Sequence, residues 1–253
     1  MFTPVLQGNI VTAGLDTFFD FSDPQCYLPS YGTTAYDLSG NGHNATLVGG
    51  ATYRTTFGGC IELDGVNDNI TYVSGFSQSF SCMTVVTSGT DANPTLGWVN
   101  DDGAFPGTRP GSAGDFGYFC QAQLGAAPSS LIPGLPGGTL NAPSIQQAPS
   151  GWTGWNTWLN GYWFRTNGTN SHQTFLNNTA QQTSSQSGGR SVNGTVPGTT
   201  INVGRDPVLT RFPTGRVLAY VMYNRILSAD EMYQTWNYFG NKILTKYWKE
   251  NIQ

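Results

Sequence analysis

Two sets of residues have the types and spacing that chemistry uses. The first carries oxygen: Asp37 and Asn41 in Asp-Leu-Ser-Gly-Asn-Gly, then Asp64 and Asp68 in Asp-Gly-Val-Asn-Asp. Hard cations such as calcium take several oxygens held at a rigid turn, so these four residues are candidate calcium ligands if their turns converge. The same aspartates also suit Asx-type turns, in which Asp37 and Asp64 bond only their own backbone. The second set is aromatic: Trp152, Trp155 and Trp158 lie in Gly-Trp-Thr-Gly-Trp-Asn-Thr-Trp, with Tyr162 and Trp163 just beyond. Flat rings among amides and hydroxyls suit stacking on sugars or contact with a protein partner, and core packing competes for the same residues.

Other chemistries find little support. Neither His43 nor His172 stands in a serine or cysteine context that suggests a nucleophilic triad. Cys26, Cys60, Cys82 and Cys120 show no paired C-x-x-C spacing, so they read as small buried thiols rather than zinc ligands. There is no glycine-rich phosphate loop. A net charge of −4 gives no electrostatic basis for holding a phosphate backbone, so no nucleic-acid partner is expected. No apolar run approaches the roughly 18 residues of a membrane span, so no membrane partner is expected. The start, Met-Phe-Thr-Pro-Val-Leu-Gln-Gly, lacks the basic and apolar segments of a secretory signal, which points to synthesis in a cytoplasm without ordinary export. Asn-x-Thr triplets at Asn44, Asn69, Asn167, Asn177 and Asn193 are what an Asn- and Thr-rich chain yields by chance.

The elements that must position these residues are short strands. Apolar-alternating runs at 45–48, 60–63 and 69–73 are set off by Ser-Gly-Asn-Gly and Asp-Gly turns. Residues 15–21, rich in Phe, and 79–87 read as further strands, and 1–14 as an arm. From 88 to about 150 Gly and Pro recur, and only 117–123 has strand character, which predicts a long loop insertion. Residues 157–165 and 174–181 read as a strand pair around a turn at 166–170, and 200–205 and 215–225 as the last strands. Ser228 and Glu231 form a capping box that opens a helix at about 229–248, with Met232, Trp236, Phe239 and Ile243 on one stripe. That stripe is expected to pack on the sandwich edge, leaving Lys242, Lys246 and Lys249 as a solvated face. With 253 residues, 38% of them hydrophobic and only 10% charged, residues 15–253 read as one large all-β domain whose surface is neutral and polar.

The two ends carry a resemblance. "DLSGNGHNATLVGGATY" with "GGCIELDGVNDNITY", and later "GRVLAYVMYNRILSADE", resemble the opening and closing of the laminin-G-like branch of the concanavalin A-like lectin/glucanase superfamily. The resemblance covers roughly 15–90 and 155–245. It implies a concanavalin A-like jelly-roll sandwich of two antiparallel sheets with a short C-terminal helix. It also implies that calcium is a possible cofactor, although the acidic pair the family often carries late in the chain is replaced here by Leu218 and Ala219.

The superfamily's glucanases use Glu-x-Asp-x-x-Glu for retaining hydrolysis. Here Glu62 and Asp64 are followed by Asn67, whose amide cannot cycle a proton, and Glu62 reads as a solvent-facing strand carboxylate. No enzyme is therefore expected. The resemblance extends to phage and viral structural proteins, and the neutral polar composition agrees. The function expected is a non-enzymatic virion structural protein: a capsid-surface, decoration or tail-fibre component. Its partners would be other virion proteins or itself, with host glycans as a further partner. The alternative is a free lectin or adhesin in an extracellular or cell-surface setting; a degenerate glycosidase ranks below both.

Overall fold

The computed structural model describes residues 9–76, 79–87, 103–107, 119–123, 130–134, 145–146, 160–166, 171–176, 179–185, 196–204 and 214–251, with side chains for 9–74, 79–86, 200–204 and 214–242. In chain order the strands begin with β1 (Leu15–Asp20), β2 (Thr34–Ala35), β3 (Ala45–Val48), β4 (Thr52–Arg54), β5 (Cys60–Asp64), β6 (Asn69–Phe76) and β7 (Phe80–Thr87). Next come β8 (Gly103–Gly107), β9 (Phe119–Gln123), β10 (Ser130–Gly134) and β11 (Ile145–Gln146). The last are β12 (Asn160–Thr166), β13 (Ser171–Leu176), β14 (Thr179–Ser185), β15 (Val196–Val203) and β16 (Thr214–Tyr223), before helix α1 (Ala229–Asn251).

These strands make two antiparallel sheets. One runs β14-β13-β12-β7-β16-β5-β4, and β1 also pairs with β16. The other runs β11-β10-β9-β8-β15-β6-β3-β2. The molecule is a β-sandwich of the concanavalin A-like, jelly-roll kind, with a C-terminal helix. Strand β16 is the hub of the first sheet. Its length lets it pair with β7 along one side, and with β5 and then β1 along the other.

Alternation on β16 and its neighbours feeds two apolar layers, because successive side chains point to opposite faces. Phe19, Phe21, Ile61, Leu63, Cys82, Val217, Tyr220 and Met222 face the second sheet, where Leu47, Ile70, Tyr72, Ile201 and Val203 meet them. The hydroxyls of Tyr72 and Tyr220 satisfy each other at 2.9 Å, so two polar tips cross the core without an orphan. Phe18, Cys60, Met83, Val85, Leu218, Ala219, Val221 and Tyr223 face the other way, beneath Met232 and Phe239 of α1 and beneath Val11. Each large apolar side chain taken wholly out of water contributes roughly 1.5–3 kcal/mol. The helix is therefore part of the fold rather than an appendage.

The sequence reading needs correction at several points. The 88–150 segment is not one long loop: β8 to β11 lie within it and extend the second sheet outward from β15. The run 174–181 is split between β13 and β14. The turn after Asp64 leads into another strand as read, but β5 and β6 lie in different sheets and the turn arches between them. Helix α1 runs on to Asn251 and covers the outer face of the first sheet rather than its edge.

Lys242 is not on a solvated face. It reaches the buried Asp20 at 2.5 Å, with Tyr238 alongside. Burial pulls the Lys242 ammonium down, but the Asp20 carboxylate outweighs it and holds the group above its ordinary value. The capping box forms as the sequence implies. The Glu231 amide donates to Ser228 Oγ at 3.2 Å, and the Ser228 amide to Glu231 Oε2 at 2.9 Å. Arg225 adds a bidentate pair and, with the Ser228 amide, holds the Glu231 carboxyl down at about 2. Cys26, Cys60 and Cys82 are buried and outside any disulfide; burial pushes the Cys26 thiol far up.

Candidate functional site

The Asp37 turn is tied down completely. Asp37 Oδ1 accepts from the amides of Phe18 and Ser39, both at 2.9 Å. Its Oδ2 accepts from the Ser39 hydroxyl at 2.6 Å and the His43 amide at 3.0 Å. Asn41 faces the strand rather than a cation: its Nδ2 donates to the carbonyls of Leu15 and Asp16 at 3.0 and 2.8 Å. Behind the turn lies Asp16, buried and missed by the sequence reading. Its carboxylate accepts from Ser74 Oγ at 2.6 Å, Thr17 Oγ at 2.9 Å and Asn224 Nδ2 at 2.7 Å. His43 Nδ1 stands 3.1 Å from the Asp16 carbonyl, which can only accept, so that nitrogen carries the hydrogen. This cluster ties β1, β6, the turn and the end of β16 together. A bulge in β1 between Leu15 and Thr17 places Asp16 there, and no local sequence pattern announces it.

The Asp64–Asp68 arch is built differently. Asp64 Oδ1 accepts from the Val66 amide at 2.8 Å, an Asx-type turn. Asp68 is 4% exposed; its Oδ2 accepts from the Asp64 amide at 3.0 Å and its Oδ1 has no partner. Next to it, Asn69 donates from Nδ2 to Asn202 at 3.2 Å while its own Oδ1 is unpartnered. Burial raises the Asp68 carboxyl above its ordinary value, and the neighbouring Asp64 charge adds to this. The arch is packed on glycine: a Cβ at Gly49 would lie 2.2 Å from the Asn67 carbonyl oxygen.

The four proposed calcium ligands thus fall into two separate structures. Among the described residues no three His, Cys, Asp or Glu side chains gather as metal ligands. Asp37 already spends both oxygens on protein donors and Asn41 turns its Nδ2 to the carbonyls of β1, so the structure does not show the four gathered around one calcium ion. Glu62 is a second correction: it is 8% exposed, not solvent-facing. Arg54 donates to its Oε1 at 2.9 Å and Arg216 to its Oε2 at 3.2 Å. A carboxylate held on both oxygens by guanidinium groups is an anchor across β4, β5 and β16.

Trp152, Trp155 and Trp158 lie outside the described residues. Tyr162 stands on β12, opposite Thr84 of β7 and Leu176 of β13. The described residues hold another aromatic group that the sequence reading passed over. Tyr31 and Tyr36 flank β2, and their rings meet edge to face at 5.1 Å and 88°. Tyr36 is 42% exposed and Leu28, close by in the chain, 37%. The loop beneath them is pinned by three bonds: Tyr31 Oη to the Pro24 carbonyl, Tyr27 Oη to the Gly32 carbonyl and the Tyr36 amide to the Cys26 carbonyl. The signal available was four tyrosines, Tyr27, Tyr31, Tyr36 and Tyr53, near a Pro-Ser-Tyr-Gly turn.

No family model matches the chain, and no curated protein matches it in sequence. Solved structures match it in shape. Domain 4 of AbnA, a GH43 extracellular arabinanase from Geobacillus stearothermophilus described in complex with arabinotriose, superposes with a TM-score of 0.62 at 11% identity, covering 88% of this chain and 98% of that one. The Trypanosoma rangeli sialidase, in its covalent complex with 2,3-difluorosialic acid, gives 0.61 at 14% identity over 90% of this chain. A point mutant of HCR/D gives 0.61 at 11% over 92%. The chain spans 33% of that sialidase and 52% of HCR/D, so each corresponds to it only in part. At these identities the likeness concerns the fold.

Proposed function

We propose that this chain is a non-catalytic, glycan-binding β-sandwich. The observation that carries the reading is its near end-to-end correspondence with domain 4 of the arabinanase, a domain described in complex with arabinotriose. The non-catalytic part is supported by Glu62. It is the one glutamate in a glucanase-like spacing, and both its oxygens are engaged by arginines. Titration of the purified chain with arabinotriose, and a screen on an array of neutral and acidic oligosaccharides, tests the reading. Saturable binding to at least one glycan with no release of reducing sugar is the expected result; hydrolysis, or an empty array, overturns it.

A second reading places the sandwich in an assembled particle, as a capsid-surface, decoration or tail-fibre protein that meets host glycans. The observation favouring it is the surface chemistry, with 10% charged residues and 33 glycines in a chain rich in Asn and Thr. Gradient sedimentation of the source culture, with the protein quantified in each fraction, separates the two settings. Co-migration with intact particles at fixed stoichiometry is the outcome for a particle component. Recovery in soluble or cell-surface fractions leaves a free lectin or adhesin.

A further inference from the structure

If the sandwich binds sugar, a described surface already has the shape and chemistry for it. We infer that Tyr31, Tyr36 and Asn44 form a binding corner for a neutral oligosaccharide, a deepening that rests on the glycan-binding reading above. The two tyrosine rings stand at 88° to one another, so a sugar ring stacked on one face meets the other as a wall. Aromatic faces attract the C–H faces of a sugar, and a few placed polar groups fix its orientation. Asn44 supplies such a group. Its Oδ1 is held by the Asp37 amide at 3.0 Å, one residue along from Tyr36, and the residue is exposed. Its Nδ2 hydrogens have no acceptor among the described residues, which leaves them for a sugar hydroxyl.

Two further facts favour a ligand over simple loop packing. The corner is rigid before anything binds, because the Tyr27 and Tyr31 hydroxyls and the Tyr36 amide are all bonded to the loop's own backbone. Tyrosine also has few rotors to freeze, so stacking there costs little ordering. The charge pattern selects the class of sugar. Residues 24–36 and 44–48 contain no Lys, Arg, Asp or Glu. The nearest acid along the chain, Asp37, has both oxygens filled by four donors. Nothing in these segments would pair with the carboxylate of an acidic sugar, and the corner fits neutral ones.

The test uses the full chain, arabinotriose as the first probe and the array of neutral and sialylated oligosaccharides as the second. Tyr36→Ala and Tyr36→Gln are each expected to weaken binding to neutral glycans about tenfold or more, a loss of roughly 1.4 kcal/mol. Tyr36→Phe, which keeps the face, stays within about threefold of the parent, and Tyr233→Ala, an exposed aromatic on α1 over the other sheet, leaves affinity unchanged. Thermal melting of each variant checks that the exposed substitution has not altered the fold. Unchanged binding in both Tyr36 variants overturns the corner and leaves the glycan-binding reading intact. Binding confined to sialylated glycans overturns the neutral assignment. No binding by the parent chain overturns corner and reading together.

Discussion

The loop around Asp37 and the arch around Asp68 are made of the same residue types, and they end in opposite states. In the loop every carboxylate oxygen is filled, while Gly40 and Gly42 have nothing within 4 Å of where a Cβ would stand. In the arch two side-chain oxygens are buried without partners, while Gly49 is pressed against backbone. The loop is held by polar bonds in an open setting; the arch joins a few polar bonds to close packing that leaves two oxygens unserved. The lesson is that an aspartate in a turn says little by itself. What matters is whether the surrounding chain brings donors or merely brings atoms.

The largest effect should come from filling the arch. Gly49 has φ +84°, and an added Cβ would lie 2.2 Å from the Asn67 oxygen and 2.9 Å from the Asp68 Cα. Gly49→Ala should cost on the order of 4 kcal/mol or leave no folded protein, since backbone on both sides must move. Gly40→Ala, at φ +87° but in open space, should cost only about 1–2 kcal/mol from its left-handed backbone. Urea midpoints for the pair make the measurement, and equal losses would mean that the arch yields as easily as the loop.

Next in size is Asp37→Ala, which removes the acceptor for four donors that join β1 to the turn. A loss of about 3 kcal/mol is expected, from net hydrogen bonds and stranded amides together. A loss under about 1 kcal/mol would show that water replaces the carboxylate freely.

The smallest effect belongs to Asp68→Asn, whose amide oxygen can still accept from the Asp64 amide. At neutral pH the variant should lie within about 1 kcal/mol of the parent, on the stabilising side, because no charge remains to be buried. The pH dependence fixes the sign. Asp68 has its folded pKa raised by burial, so its cost is absent below the unfolded value and grows as pH rises toward the folded one. The parent's advantage on acidification across that window should vanish in the variant. A variant less stable than the parent at pH 7 would show that the Asp68 charge has a partner after all.

Much of this was legible in the chain. Strands at β3, β5 and β6 follow from alternation broken by Gly, Asn and Asp, and the helix start follows from Ser228 and Glu231. These signals are local, and they survive in the fold because the tertiary structure agrees with them. The turn at Asp64 was legible but its arch was not, because turn chemistry says that the chain turns, not which sheet receives it. Lys242 looked solvated because its partner, Asp20, lies 222 residues away. Glu62 looked exposed because alternation gives its face correctly but not the two arginines that cover it. Apart from β9, which falls within the strand-like 117–123, the strands inside 88–150 were hidden by glycine and proline, since pairing there depends on joining an existing sheet edge rather than on local preference. Of the sites, the orphan oxygens and the tyrosine corner are spatial facts with no sequence signature beyond the presence of the residues.

The central place of β16 also sets an order of events during synthesis. Strands β1, β5 and β7 emerge first, each with apolar side chains on both faces, yet their shared neighbour begins only at Thr214. Until then β1 has no strand partner, and the ribosome holds a chain whose unpaired edges and two half-built apolar layers are open to other molecules. Closing the sheet joins Phe18 to Val221 across more than two hundred residues, a contact of the kind that makes β proteins fold slowly. A chain that stalls before β16 therefore carries most of the sandwich's hydrophobic surface and none of its keystone, which makes the late strand the point at which solubility is won or lost.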